Sequence, residues 1–148
     1  MFTVTTRGFR ELDMTLRLIV ARLRSDLPGV MREIASEAAE TARERIGQER
    51  QGWAPLAAST IAAKQRHGWT GRISYTDPLL ASGAMRASVH GEGAALVATV
   101  RASRPALFHE KGTERMPRRS FLRPAFRATY PLARRLLAET FETAIRER

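Results

Sequence analysis

Side chains able to do acid–base or metal chemistry are few and widely spaced in this chain. His109 and Glu110 begin a zinc-protease-like pair, but no second histidine follows at the spacing that puts two imidazoles on one helix face. The other histidines are His67 and His90, cysteine is absent, and the sequence contains neither a glycine-rich phosphate loop nor a nucleophile elbow. We therefore predict no catalytic residue, no metal and no cofactor, and we expect that the protein is not an enzyme.

A row of carboxylates follows one apolar helical pattern: Glu33, Glu37, Glu40 and Glu44. Steps of three and four residues place these groups on a helix surface beside Arg43 and Arg45. This spacing is typical of ordinary surface ion pairs, each worth about 0.2–0.5 kcal/mol. A metal site is the alternative, but neither histidine nor a group of aspartates accompanies the row.

The composition indicates one strongly basic domain. The 148 residues carry a formal net charge of +10, almost all from arginine, because Lys64 and Lys111 are the only lysines. A basic surface attracts nucleic acid or acidic proteins, although solvated arginines on helix faces explain many of the positions equally well. The sequence shows no signal peptide and no run near the ~18 apolar residues of a membrane helix, so we expect a soluble protein without membrane contact.

The segment from His109 to Phe126, HEKGTERMPRRSFLRPAF, contains too many helix-breaking residues to form a core helix. We predict that it contacts another protein. Gly112 would supply a turn, Phe121 and Leu122 an apolar anchor, and Arg118 and Arg119 charge-assisted hydrogen bonds to carboxylates. The full predicted interface is Gly112, Thr113, Arg115, Arg118, Arg119, Phe121, Leu122 and Arg123.

Hydrophobic periodicity predicts the elements that hold this segment. Helical stripes cover residues 8–47, in one helix or in two that meet near Asp26 and Pro28, and a loop with a short helix covers 48–84. Alternation from Met85 to Arg101 predicts a β-hairpin over 85–101 that turns at Gly91-Glu92-Gly93. The interface loop over 109–123 and a C-terminal helix over 124–147 complete a single domain over residues 1–148.

Two tryptophans stand in the long predicted loop. Trp53 and Trp69 have rings that could stack on nucleic-acid bases, but loop aromatics more often anchor a loop to the core. We favour anchoring, with Pro55 and Leu56 beside Trp53.

Several short motifs occur in a particular order along the chain. They are Trp53-Ala54-Pro55-Leu56 with Thr60 and Lys64, Leu79-Leu80 with Gly83 and Ser88, His109-Glu110-x-Gly112-Thr113, and Pro117-x-Arg119-x-Phe121-Leu122-x-Pro124-Ala125. In this order the chain resembles the virion-morphogenesis and tail-completion (neck) proteins of tailed phages over about residues 8–130. It departs from their pattern at Ala106-Leu107, where Tyr-Ala is common, at Met85, where Leu is usual, and in an insertion-like piece around 69–77.

The resemblance implies a fold and a role. The fold would be α+β, with long N-terminal helices and a C-terminal helix packed on a small antiparallel sheet. The role would be structural: a ring in the virion around the DNA channel of the head–tail junction, hexameric or alternatively dodecameric. Its partners would be copies of itself, other neck and head-completion proteins, tail-tube or terminator proteins and, weakly, packaged DNA. The alternative is an arginine-rich nucleic-acid-binding protein, whose affinity would fall steeply with salt.

Overall fold

One long helix organises the molecule in a computed structural model that describes residues 8–48, 52–68 and 74–146. Helix α1 runs over Phe9–Arg45, and its 37 residues span about 55 Å. Asp26 and Pro28, which the sequence offered as the start of a second helix, lie inside it. The helical region predicted over 8–47 is therefore a single helix.

Within the described residues, six shorter elements follow α1. They are α2 (Ala58–Arg66), α3 (Ala84–Ser88), β1 (His90–Ala94), β2 (Val97–Arg101), α4 (Arg104–Lys111) and α5 (Leu122–Arg146). β1 and β2 form a two-stranded antiparallel sheet in which His90 lies opposite Arg101 and Ala94 opposite Val97. The predicted α+β class is confirmed: a long N-terminal helix and a C-terminal helix pack on a small antiparallel sheet.

The hairpin differs from its predicted form in two ways. Residues Met85–Ser88, predicted as strand, belong to α3. Gly91 and Gly93, predicted as the turn, lie within β1, and the chain turns at Ala95 and Leu96 between the strands. Ala95 there takes a positive φ of 47°.

The β1 glycines are explained by close packing against α1. A Cβ atom on Gly91 would lie 2.2 Å from the carbonyl oxygen of Ala35, and one on Gly93 would lie 2.2 Å from the backbone nitrogen of Arg32. Glycine inside a strand commonly marks such a close approach of another backbone. The same residue type thus serves as a contact point where the sequence suggested a turn.

Two apolar clusters connect α1 to the rest of the chain. The first joins Ala39 and Ala42 of α1, with Ile46 directly after the helix, to Phe121 and Ala125, together with Leu80, Val89 and Ala106. The second joins Leu27, Met31 and Ile34 of α1 to Ala133, Leu136 and Leu137 of α5. Later residues of α1 meet earlier residues of α5, so the two helices run in opposite directions.

The C-terminal part of the chain is more helical than predicted. α4 reaches Lys111, and α5 begins at Leu122, two residues before the predicted start at 124. The irregular part of the predicted interface loop is consequently confined to residues 112–121, which we call the α4–α5 loop. None of the described helices combines the length and apolar composition that would let it cross a membrane.

Candidate functional site

The carboxylate of Glu110 holds the α4–α5 loop to the start of α5. Oε2 accepts hydrogen bonds from the backbone amides of Phe121 and Leu122, each at 2.9 Å, and Oε1 accepts one from Arg123 at 3.2 Å. The hydroxyl of Ser120 also donates to Oε1. The first amides of a helix have no partner within it, and a negative charge is favourable there. Glu110 therefore caps α5 from outside the helix.

This capping also determines the charge of Glu110. Partial burial opposes ionisation, but hydrogen bonds from Ser120 and from the amides of Leu122, Phe121 and Arg123 favour the carboxylate more strongly, so the pKa of Glu110 lies below its ordinary value. The carboxylate is thus ionised at neutral pH and committed to a structural contact.

Gly112 ends α4 at the place where the sequence predicted a turn. Its φ of +77° is accessible to glycine at little cost, and a Cβ atom there would lie 3.1 Å from the backbone nitrogen of Arg118. The chain then folds back, with paired backbone hydrogen bonds between Thr113 and Met116 of 2.9 and 3.2 Å. The α4–α5 loop is consequently an ordered turn.

Two predicted interface residues are buried, and the prediction that they contact a partner is wrong. Phe121 is 0% exposed and lies in the first apolar cluster, and its backbone amide donates to Glu110. Arg119 is 5% exposed, and its Nη2 donates to the backbone carbonyls of Ala54 at 2.9 Å and Pro55 at 3.2 Å. It therefore ties two loops of one chain together instead of reaching carboxylates of another.

The remaining predicted interface residues have different degrees of exposure. Thr113, Arg115, Arg118 and Arg123 are exposed, and Gly112 and Leu122 are half-buried. Leu122 packs against the first cluster, and Nε of Arg118 donates to the carbonyl of Glu110 at 3.0 Å. A contact with another protein through the four exposed residues stays a prediction.

The predicted loop anchors fall into three groups. Trp53 is half-buried and packs against the first cluster, as expected for an anchor. Leu56 is also half-buried, whereas the ring of Pro55 is exposed and the residue contributes through its carbonyl. Trp69 lies outside the described residues.

The structure brings most of the quoted motifs together. The Trp53–Leu56 segment, Lys64, Leu80, His109 and Arg119 meet around the α4–α5 loop, although they are far apart in the chain. Arg119 connects the first motif to the last directly. Motifs that looked separate in the sequence therefore build one neighbourhood at the end of the molecule where α1 terminates.

Sequence reasoning missed a second surface at the opposite end of α1. Residues 9–26, which we call the open end, carry an apolar stripe that continues the buried stripe of the same helix, yet Phe9 is 70% and Leu16 is 51% exposed. Leu12 and Val20 are exposed on the same stripe. α5 begins beside Ala39 and Ala42 and has 25 residues, so it ends before it reaches the start of α1. The sequence did carry a signal for this surface: the helical region predicted over 8–47 is longer than the C-terminal helix predicted over 124–147.

The carboxylates along α1 are surface groups. Glu33, Glu37, Glu40 and Glu44 are exposed, and Glu40 pairs with Arg43. Within residues 8–48, 52–68 and 74–146, no three acidic or histidine side chains come together as a metal site would require.

No family model matches the chain, and neither a curated protein nor a solved structure matches it.

Proposed function

We propose that the protein is a structural component of the tailed-phage head–tail junction: a neck or tail-completion protein that forms a ring around the DNA channel. It would join head and tail by protein–protein contacts. The order of motifs over residues 8–130 supports this proposal from the sequence. The exposed apolar stripe of the open end supports it from the structure.

That stripe is the observation on which the proposal chiefly depends. Phe9, Leu12, Leu16 and Val20 lie along one helix face at three- and four-residue spacing, and each is exposed. Contiguous apolar surface of this kind is uncommon on a monomer and is typical of protein contacts. It fits a subunit whose folding is completed by assembly.

The α4–α5 loop supports the same role with different chemistry. Arg115 and Arg118 are exposed on a turn that Glu110 and Gly112 hold in one conformation, and Arg123 is exposed in the first turn of α5. Arginine is enriched at interface positions that dominate binding energy. A loop that is ordered before binding loses less conformational entropy when it binds.

The positions of the two surfaces suit a ring. A cyclic ring needs a head-to-tail contact, in which one patch of a subunit meets a different patch of the next. The open end lies at the start of α1, and the α4–α5 loop packs near its end through Phe121 and Ile46. The subunit thus has an apolar patch and a basic patch near opposite ends of a helix about 55 Å long.

The test is the native mass of the full chain, by light scattering and native mass spectrometry, at low and moderate salt with and without double-stranded DNA. We expect a discrete ring-sized oligomer whose mass does not depend on DNA. A monomer that binds DNA with a steep salt dependence would contradict the proposal and favour the arginine-rich nucleic-acid-binding alternative. If the protein is a monomer and does not join phage particles either, the structural role itself is contradicted.

A further inference from the structure

A cavity of about 580 Å³ opens between the α4–α5 loop, α2 and the segment before α3. Its walls are largely apolar and include Pro55, Leu56, Leu79, Leu80, Met116 and Pro117. Cavities of this size, with apolar walls and a few convergent polar groups, are typical of sites for small ligands or inserted side chains. The polar groups therefore decide what the cavity can hold.

Cationic side chains supply most of those polar groups. Lys64, Arg115 and Arg119 line the cavity together with His109, and no aspartate or glutamate is among the described residues that line it. Lys64 and Arg119 are each only 5% exposed. Burying cations without a neutralising carboxylate is unfavourable, so such a cluster is expected to gain stability from an anion.

The hydrogen bonds of the two buried cations leave donors available. The ammonium group of Lys64 donates to the backbone carbonyl of Asp77, while the carboxylate of Asp77 accepts from the amide of Ser74 at 2.8 Å. Nη2 of Arg119 is used by backbone carbonyls, but its buried Nε has no hydrogen-bond partner within the described part of the chain. A guanidinium has five N–H donors, so Arg119 can still donate to a ligand.

The electrostatics of the cluster agree with this shortage of negative charge. Burial lowers the pKa of Lys64; the charge of Asp77 opposes this effect, and the charge of Arg119 adds a smaller lowering. Burial and Arg119 also lower the pKa of His109. Nδ1 of His109 is buried and, among the described residues, has no hydrogen-bond partner.

We propose that this cavity binds a carboxylate attached to an apolar group, as presented by an acidic residue with apolar neighbours on a partner polypeptide. Lys64 and Arg119 form the floor of the anion site, Arg115 closes over it from the exposed rim, and the apolar walls hold the attached group. This inference goes beyond the proposed role in the head–tail junction and does not depend on it.

The geometry favours a carboxylate over the phosphates of a nucleic acid. Proteins that bind single strands use an open basic groove that follows the backbone, with exposed aromatic rings for the bases. Here the buried cations line a concave cavity whose described walls are proline, aliphatic and methionine side chains. An apolar group bearing one carboxylate complements both features.

The test uses hexanoate as the probe, titrated into the ¹⁵N-labelled full chain and followed by NMR. Hexan-1-ol serves as the neutral analogue and inorganic phosphate as an anion without an apolar group. We expect saturable shifts at Lys64, His109 and Arg119 with hexanoate at millimolar concentrations, and much weaker shifts with the other two probes.

Two matched substitutions assign the site. Arg115→Gln removes a charge from the exposed rim, so the fold should be retained, and we expect hexanoate to bind about fivefold more weakly. Arg123→Gln makes the same change at an exposed residue outside the cavity lining and should alter binding by less than about twofold.

Three results would overturn the carboxylate site. The first is no saturable shift with hexanoate, and the second is equal weakening by the two substitutions. The third is phosphate or a single-stranded oligonucleotide binding at the same residues as tightly as hexanoate does, which would make the cavity a phosphate site.

Discussion

The two ends of α1 present the same apolar periodicity in different surroundings. At the closed end, residues 27–45 of α1, the stripe is covered by the hairpin and α5, and many of its residues are small: Ala35, Ala38, Ala39 and Ala42 are buried. At the open end the corresponding positions carry large side chains, including Phe9 and Leu16, and these are exposed.

The difference in residue size shows what each end is built to contact. Alanine lets a strand or a helix approach the α1 backbone closely, as Gly91 does beside Ala35. Large residues at a helix surface stabilise a contact by the area that they remove from water, about 25 cal/mol per Å². At the open end this area is still exposed, so it is available for a contact outside the described chain.

The largest expected effect tests the close packing at the closed end. Gly91→Ala would place a methyl group 2.2 Å from the carbonyl oxygen of Ala35, a backbone atom that cannot move without bending α1. We expect a loss of more than about 4 kcal/mol in the free energy of unfolding, enough to leave little folded protein. Thermal unfolding followed by circular dichroism measures it.

Gly29→Ala is the matched control for this change. Gly29 lies inside α1, and the nearest atom to an added Cβ is the end of the Arg32 side chain at 3.9 Å. Replacing a helical glycine by alanine should stabilise the protein by about 0.5–1 kcal/mol. If both substitutions shifted the melting temperature in the same direction, the close packing of β1 on α1 would be contradicted.

The next largest effect tests the burial of Phe121. Phe121→Ala should cost about 3–5 kcal/mol, because it leaves a cavity in the first apolar cluster. Phe126→Ala removes the same atoms from an exposed position on α5 and should cost under about 1 kcal/mol. Urea denaturation of both variants measures the difference, and equal midpoints would mean that Phe121 is the exposed anchor that the sequence suggested.

The sequence predicted features of a single helix better than features that depend on contact between two elements. The periodicity of α1 and α5 was sufficient to predict long helices, and the turn predicted at Gly112 is present, with a positive φ at that residue. Gly91 and Gly93 were misassigned because a glycine needed for contact with another backbone looks the same as a glycine in a turn. Only the position of α1 distinguishes the two cases.

The site was harder to predict for the same reason. Arg119 and Phe121 stand in a segment rich in arginine and helix breakers, so the pattern predicted exposure for both. Arg119 is buried against partners more than 60 residues away in the chain, and Phe121 is buried in a cluster that includes Ala39 and Ala42 of α1. Neither contact leaves a local signal in the sequence.

An intermediate effect is expected when the α5 cap is removed. Glu110→Gln loses the charge and some of the hydrogen bonds to the amides of Phe121, Leu122 and Arg123, at a cost of about 1–2 kcal/mol. Glu114→Gln makes the same change at an exposed position in the α4–α5 loop and should be neutral within about 0.5 kcal/mol.

The pH dependence of this effect has a definite sign. Because the pKa of Glu110 is lowered in the folded state, its contribution is complete above the unfolded value, near 4.5, and is lost as the pH falls through the lower folded value. The stability difference between the wild type and Glu110→Gln should therefore shrink on acidification below about pH 4.5. A difference that stayed constant to strongly acidic pH would contradict an ionised cap.

The smallest effect on stability is expected at the open end, and the quantity to measure there is the native mass of the protein. Leu16→Glu places a charge on the apolar stripe and should change the free energy of unfolding of the monomer by less than about 0.5 kcal/mol, because the side chain is already exposed. Leu18→Glu is the matched control, since two residues at 100° each put Leu18 on nearly the opposite face of α1, where it is also exposed.

We expect Leu16→Glu to reduce the native mass to that of a monomer and Leu18→Glu to leave the oligomer intact. Equal masses for the two variants would mean that the stripe of the open end is not a subunit contact, and the contrast between the two ends of α1 would then concern the monomer alone.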